Sequence, residues 1–160
     1  LLSIEPVQIS EFYTLLIRAI RESGHIGVLV LTTRPYRWWV KMAGKDGTSL
    51  SGLRFVDCVG ELETFGDPGV RYATIEDLDS IKKAIESSVE AELAERFIVM
   101  LESLVPICLY HSEEKAKEFA TWFKDRIIQL GSKGLVIYAG SAYPELFDHI
   151  SGLADRKLVL

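Results

Sequence analysis

Short, uniformly apolar runs alternate along the chain with longer segments in which apolar residues recur at helical spacing, and this rhythm narrows the fold more than any single motif. Val28-Leu29-Val30-Leu31 and Phe97-Ile98-Val99-Met100-Leu101 lack the polar residue at every second position that a half-exposed strand shows. Runs of this kind predict central strands covered on both faces. With helical segments between them, they predict a three-layer α/β/α sandwich around a mostly parallel sheet. The expected strands are Leu1 to Glu5, Val28 to Thr32, Arg54 to Val59, Arg71 to Ala73, Phe97 to Leu101, Leu135 to Ala139 and Lys157 to Leu160.

Between them the helices are marked by periodicity and caps. Ser10 to Glu22 carries Phe12, Leu15, Leu16, Ala19 and Ile20 on one face and is followed by Gly24. Pro35 opens a second helix with Trp38, Trp39 and Met42. A third is expected from Thr74, capped by its hydroxyl with Asp77 three residues on, with Leu78, Ile81, Ile85 and Val89 at helical spacing; it is either long or broken near Ala91. The fourth spans about Ser112 to Leu130, with Glu113 and Glu114 in its positive first turn and Phe119, Phe123, Ile127 and Leu130 inward. A short fifth lies around Glu145 to Ser151. Ala43 to Gly52 reads as a flexible loop.

With 160 residues and neither repeat nor linker, the expectation is one domain over residues 1–160. A net charge of −5 disfavours a broad grip on nucleic-acid phosphates. No stretch approaches the roughly 20 apolar residues of a membrane span, and Leu1 to Pro6 lack the basic and small-residue marks of a signal peptide. Cys58 and Cys108 sit in apolar runs, which predicts buried, reduced thiols and a cytoplasmic protein.

Searched for chemistry, the sequence offers little. His25, His111 and His149 have no ligand spacing with one another or with a cysteine, so no metal is expected. Gly44-Lys45-Asp46-Gly47-Thr48 has the composition of a phosphate loop but follows a helix and precedes a strand, the reverse of what such a loop requires. Ser141 has no Gly-x-Ser-x-Gly elbow around it. Arg34-Pro35-Tyr36-Arg37-Trp38-Trp39-Val40-Lys41 is the most unusual segment, and two readings stay open for it. In one, Trp39 and Met42 pack on the sheet while the cations reach solvent. In the other, Arg34, Tyr36, Arg37, Trp38, Trp39 and Lys41 form a surface for a protein partner or a single-stranded nucleic acid.

Taken in order, the elements resemble those of the RecA-like ATPases, in particular the KaiC-like branch common in archaea. Leu1 to Glu5, Ser10 to Glu22, Val28 to Thr32 and Pro35 to Met42 are similar to that family's phosphate-loop strand and helix, second strand and following helix. Phe55-Val56-Asp57 resembles a strand ending in Ile-Asp. Phe97 to Leu104 resembles the metal-side strand followed by Asp-Ser-Leu, with Glu102 for the aspartate and Ser103 after it; Leu153-Ala154-Asp155 resembles the family's final turn.

The departures bear on function. Pro6-Val7-Gln8-Ile9-Ser10-Glu11 stands where the resemblance puts the phosphate loop, without the glycines that let amides approach phosphate or the lysine that neutralises it. Thr32-Thr33-Arg34 stands where the resemblance puts a catalytic carboxylate. Glu102 is left as a magnesium-side carboxylate or as a cap for the turn after its strand. The expectation is a RecA/KaiC-like domain that is not an ATPase, holds no cofactor, and acts through a protein partner or self-association. The resemblance implies oligomerisation. The alternatives are a recombinase-type accessory factor for single-stranded nucleic acid, which the charge disfavours, and an enzyme of another class using an unrecognised cleft.

Overall fold

A computed structural model describes residues 2–4, 9–60, 67–139 and 142–159. The elements run β1 (Leu2–Ile4), α1 (Ile9–Glu22), β2 (Ile26–Leu31), α2 (Tyr36–Asp46), β3 (Leu53–Asp57), β4 (Val70–Tyr72), α3 (Leu78–Ser88), a 3-10 helix (Ala91–Arg96), β5 (Phe97–Leu101), α4 (Val105–Tyr110), α5 (Glu113–Leu130), β6 (Lys133–Ala139), α6 (Pro144–Leu153) and β7 (Leu158–Val159). The strands form one sheet in the order β4-β3-β2-β5-β6-β1-β7. Every pairing among the described residues is parallel, with Leu29 opposite both Phe55 and Met100 at the centre.

The alternation of side chains along these strands divides the interior into two cores. Val28, Val30, Val56, Val99 and Leu101 face one way and pack with Ile81 and Ile85 of α3, Ile107 of α4, Phe119 and Phe123 of α5, and Leu146 and Ile150 of α6. Leu29, Leu31, Phe55, Met100 and Ile137 face the other way, against Tyr13, Ile17 and Ile20 of α1 and Trp39 of α2. Helices therefore cover both faces, which is the expected three-layer α/β/α arrangement, and strands with no polar alternation are the ones this burial requires. No helix among the described residues is long and apolar enough to cross a membrane.

Several local expectations are corrected. The loop expected from Ala43 is helical as far as Asp46, because the residue that ends α2 is Gly47, left-handed at φ 63°, whose amide returns to the Ala43 carbonyl. The third helix starts at Leu78 rather than Thr74. Asp77 is its cap, its carboxylate accepting from the amides of Asp79 and Ser80. The Ile75 carbonyl, which a helix from Thr74 would use, is 2.8 Å from Nε2 of His111. Of the two alternatives near Ala91, a long helix or a broken one, the broken one is present, with α3 ending at Ser88 and the 3-10 helix following, whereas α4 has no counterpart in the sequence expectations. Both cysteines are buried free thiols, and burial pushes their acidity down and their pKa up.

Candidate functional site

The carboxyl edge of the sheet centre brings together residues scattered over the sequence. β2 hands the chain to α2 on one face, while β5, its neighbour, hands it to α4 on the other. Loops that part in this way leave a crevice at the strand ends, the usual place for a ligand in parallel α/β sheets. Here the two parting loops are Thr32 to Pro35 and Glu102 to Leu104.

Glu102 is buried, at 5% exposure, and its carboxylate joins the two loops. Oε2 accepts from the Thr32 amide at 3.0 Å and from the Thr33 amide at 2.9 Å. Oε1 faces the Tyr13 hydroxyl at 3.5 Å. The Thr32 hydroxyl donates to the Ser103 carbonyl at 2.8 Å, and Ser103 Oγ accepts from the Val105 amide at 3.2 Å as α4 begins. Glu102 thus holds a turn, as one of its two sequence readings had it, but the turn follows β2 and not its own strand.

Asp57 does the same from the opposite side. At 2% exposure it ends β3, and its Oδ2 accepts from the Tyr36 amide at 2.7 Å, the first of α2. Its Oδ1 accepts from the Val59 and Gly60 amides at 3.0 and 2.8 Å. Gly60 is required for this turn, since a Cβ there would lie 2.5 Å from Asp57 Oδ2. The β2–α2 turn is consequently pinned by a buried carboxylate on each flanking strand. Ionised carboxylates satisfied by amides are stable at such depth because these bonds are charge-assisted.

The aromatic segment after this turn divides by depth. Trp39 is fully buried, with its ring edge-on to Tyr13 at 4.6 Å between centroids. As a candidate surface residue it is corrected: it belongs to the core, as the first reading of the segment proposed for it. Trp38 is half-buried beneath the Arg34 guanidinium, which lies 4.3 Å from its ring centroid. Tyr36 is also half-buried, against Phe55, and donates its hydroxyl to Asp67 at 2.7 Å. Arg37, Val40 and Lys41 are exposed.

Two titrations follow from this packing. Burial raises the Tyr13 phenol, the Glu102 charge adds to the rise, and the Arg34 charge opposes it. Burial followed by the Asp67 hydrogen bond pushes Tyr36 up to about 12 from the usual 10.0. A folded-state pKa above the unfolded one means that the folded chain holds the proton more tightly, so the associated stability is intact below pH 10.0 and is lost as pH rises toward about 12. Unfolding free energies of the wild type should fall across that window, and a Tyr36→Phe variant should show a shallower decline.

Pro6, Val7 and Gln8 lie outside the described residues, as does Ser141. Ile9, Ser10 and Glu11 form the first turn of α1. The three histidines are far apart in role: His25 contacts Ser23 and Lys133, His111 the Ile75 carbonyl, and His149 the Thr121 hydroxyl. The sequence reading did not assign Tyr13 or Asp57 a place in this site. For Asp57 a signal existed, an acid closing an otherwise apolar strand; for Tyr13 there was none, because its partner is 89 residues away.

No protein-family model matches the chain, and no curated protein matches it. Among solved structures, it is similar to a KaiC-like protein from the hyperthermophilic archaeon Pyrococcus horikoshii OT3, with a TM-score of 0.74 and 17% identity over 99% of this chain and 70% of that one. The chain therefore has a RecA-like α/β fold of the KaiC type, as the resemblance of its elements implied.

Proposed function

We propose that this is a RecA/KaiC-like domain that does not hydrolyse ATP and acts as a protein-interaction or regulatory module, in contact with an active relative or with itself. The observation that carries the proposal is the state of Glu102. Its Oε2 accepts from two backbone amides and its Oε1 faces a phenol, so the one carboxylate the sequence offers for magnesium is engaged in holding the β2–α2 turn. Phosphoryl transfer needs several groups that neutralise and position phosphate together. Thr32 to Arg34 brings no carboxylate to the strand end, and Pro6 to Glu11 brings neither glycine nor lysine. In this reading the sequence from Pro6 to Glu11 stands in place of the phosphate grip of a KaiC-like ancestor. A reducing cytoplasmic setting fits two buried free thiols.

Titration calorimetry with ATP and magnesium tests this directly. The expected result is no saturable heat at millimolar nucleotide. Micromolar binding that depends on magnesium would overturn the reading.

A further inference from the structure

We propose that Arg34 is the centre of an oxyanion-binding site at the carboxyl ends of β2 and β5, taking a carboxylate or phosphate group. Three observations converge on it. The first is an unmet donor: Nη1 of Arg34 is buried and has no hydrogen-bond partner among the described residues. A buried donor without an acceptor is costly, more so when it carries charge, and an acceptor supplied by a ligand removes that cost.

The second is that the acids flanking Arg34 are already engaged. Glu102 accepts from Thr32, Thr33 and Tyr13, and Asp57 accepts from Tyr36, Val59 and Gly60. Turning Asp57 or Glu102 Oε2 toward the guanidinium would abandon backbone amides, and Oε1 of Glu102 faces the Tyr13 hydroxyl. Most of the carboxylate oxygens near this half-buried arginine are thus held by the same bonds that fix the turn.

The third is preorganisation. The turn carrying Arg34 is held from both flanking strands, and the guanidinium lies over the Trp38 ring, which limits the rotamer freedom that binding would otherwise remove. A planar fork fixed in this manner suits the two oxygens of a carboxylate or phosphate. The position agrees with the fold, since the loops after β2 and β5 diverge at this edge. With a net charge of −5, the chain has no general attraction for anions, so binding here would be local.

The inference does not depend on the non-catalytic reading, because a simple oxyanion binds without nucleotide chemistry. The test follows the Arg34 side-chain and Trp38 indole resonances by NMR during separate titrations with acetate and inorganic phosphate, with sodium chloride as the ionic-strength control. One of the two ions should give a saturable shift at both groups, and the stronger one identifies the source chemistry. Arg34→Gln should weaken that binding by about tenfold or more, Arg34→Lys should weaken it less, and Lys41→Gln should leave it unchanged. No saturation with either ion beyond the chloride control, or wild-type affinity in both Arg34 variants, would overturn the proposal. ATP binding, should it occur in the separate calorimetric experiment, would remove the non-catalytic reading and leave this one to be judged by the Arg34 variants.

Discussion

Truncating Trp39 to alanine should lower the unfolding free energy by about 4 kcal/mol, the upper range for loss of a large core side chain. The indole is fully buried and sits where Tyr13 of α1, Phe55 of β3 and Trp38 of α2 meet, with centroid distances of 4.6, 6.4 and 5.6 Å. Removing it leaves a cavity between two helices and the sheet, which fixed backbones collapse only in part. The melting temperature should drop by about 10 °C, given roughly 2–4 °C per kcal/mol for a chain of this length. Trp39→Phe should retain most of the stability, because it keeps an aromatic ring and removes an indole N–H that has no acceptor among the described residues. Chemical denaturation of the three proteins measures the difference. A near-neutral Trp39→Ala would mean that α2 does not pack on the sheet through this ring.

Glu102→Ala should cost about 2 kcal/mol, chiefly through the buried Thr32 amide left without an acceptor, at roughly 1–3 kcal/mol for a buried group, with the part-buried Thr33 amide adding less. Glu102→Gln should fall between, because it keeps one acceptor oxygen but places an NH2 among donors. This series separates a structural carboxylate from a metal ligand. A carboxylate kept for magnesium is a liability in the metal-free protein, so its removal would leave stability unchanged or raised, and magnesium would raise the wild-type melting temperature. The expected outcome is a loss of stability in Glu102→Ala and no rise of the wild-type melting temperature with magnesium, read by thermal unfolding with and without magnesium chloride.

These two residues also show what was legible in the sequence. Val28 to Leu31 and Phe97 to Leu101 announced themselves because a strand covered on both faces has no polar alternation to hide it. The start of α2 was legible from Pro35, but its end was obscured: Gly44 and Gly47 look alike in composition, and only the left-handed backbone of Gly47 makes it the terminator. Thr74 and Asp77 are both good caps; Asp77 takes the role through the amides of Asp79 and Ser80, while the Ile75 carbonyl meets His111, 36 residues along the chain. The six residues of α4 are too few for a helical period to appear.

The site was less legible than the fold for a related reason. Glu102, Ser103 and the segment from Arg34 to Lys41 were singled out by residue type, yet Glu102 and Ser103 act on partners 69 to 71 residues distant across the sheet, and Tyr36 is held by Asp57, 21 residues away. Sequence spacing carries local chemistry such as caps and turns. It does not say that an acid at the end of one strand will hold the backbone leaving the next.

The placement of β1 has a consequence for how the chain is assembled in time. Leu2 pairs with Ile137 on one side and with Leu158 on the other, so β1 is sandwiched between β6 and β7, which follow it far along the chain. Pairings this distant in sequence close late, because loop entropy is lost before any contact repays it. A ribosome delivering the chain from its amino end would release β2, β3, β4 and β5 as a block able to pair among themselves, while β1 waits unpaired for β6 and β7. Folding should therefore finish at that side of the sheet, with the Glu102 and Asp57 clamps already closed in the part that forms first.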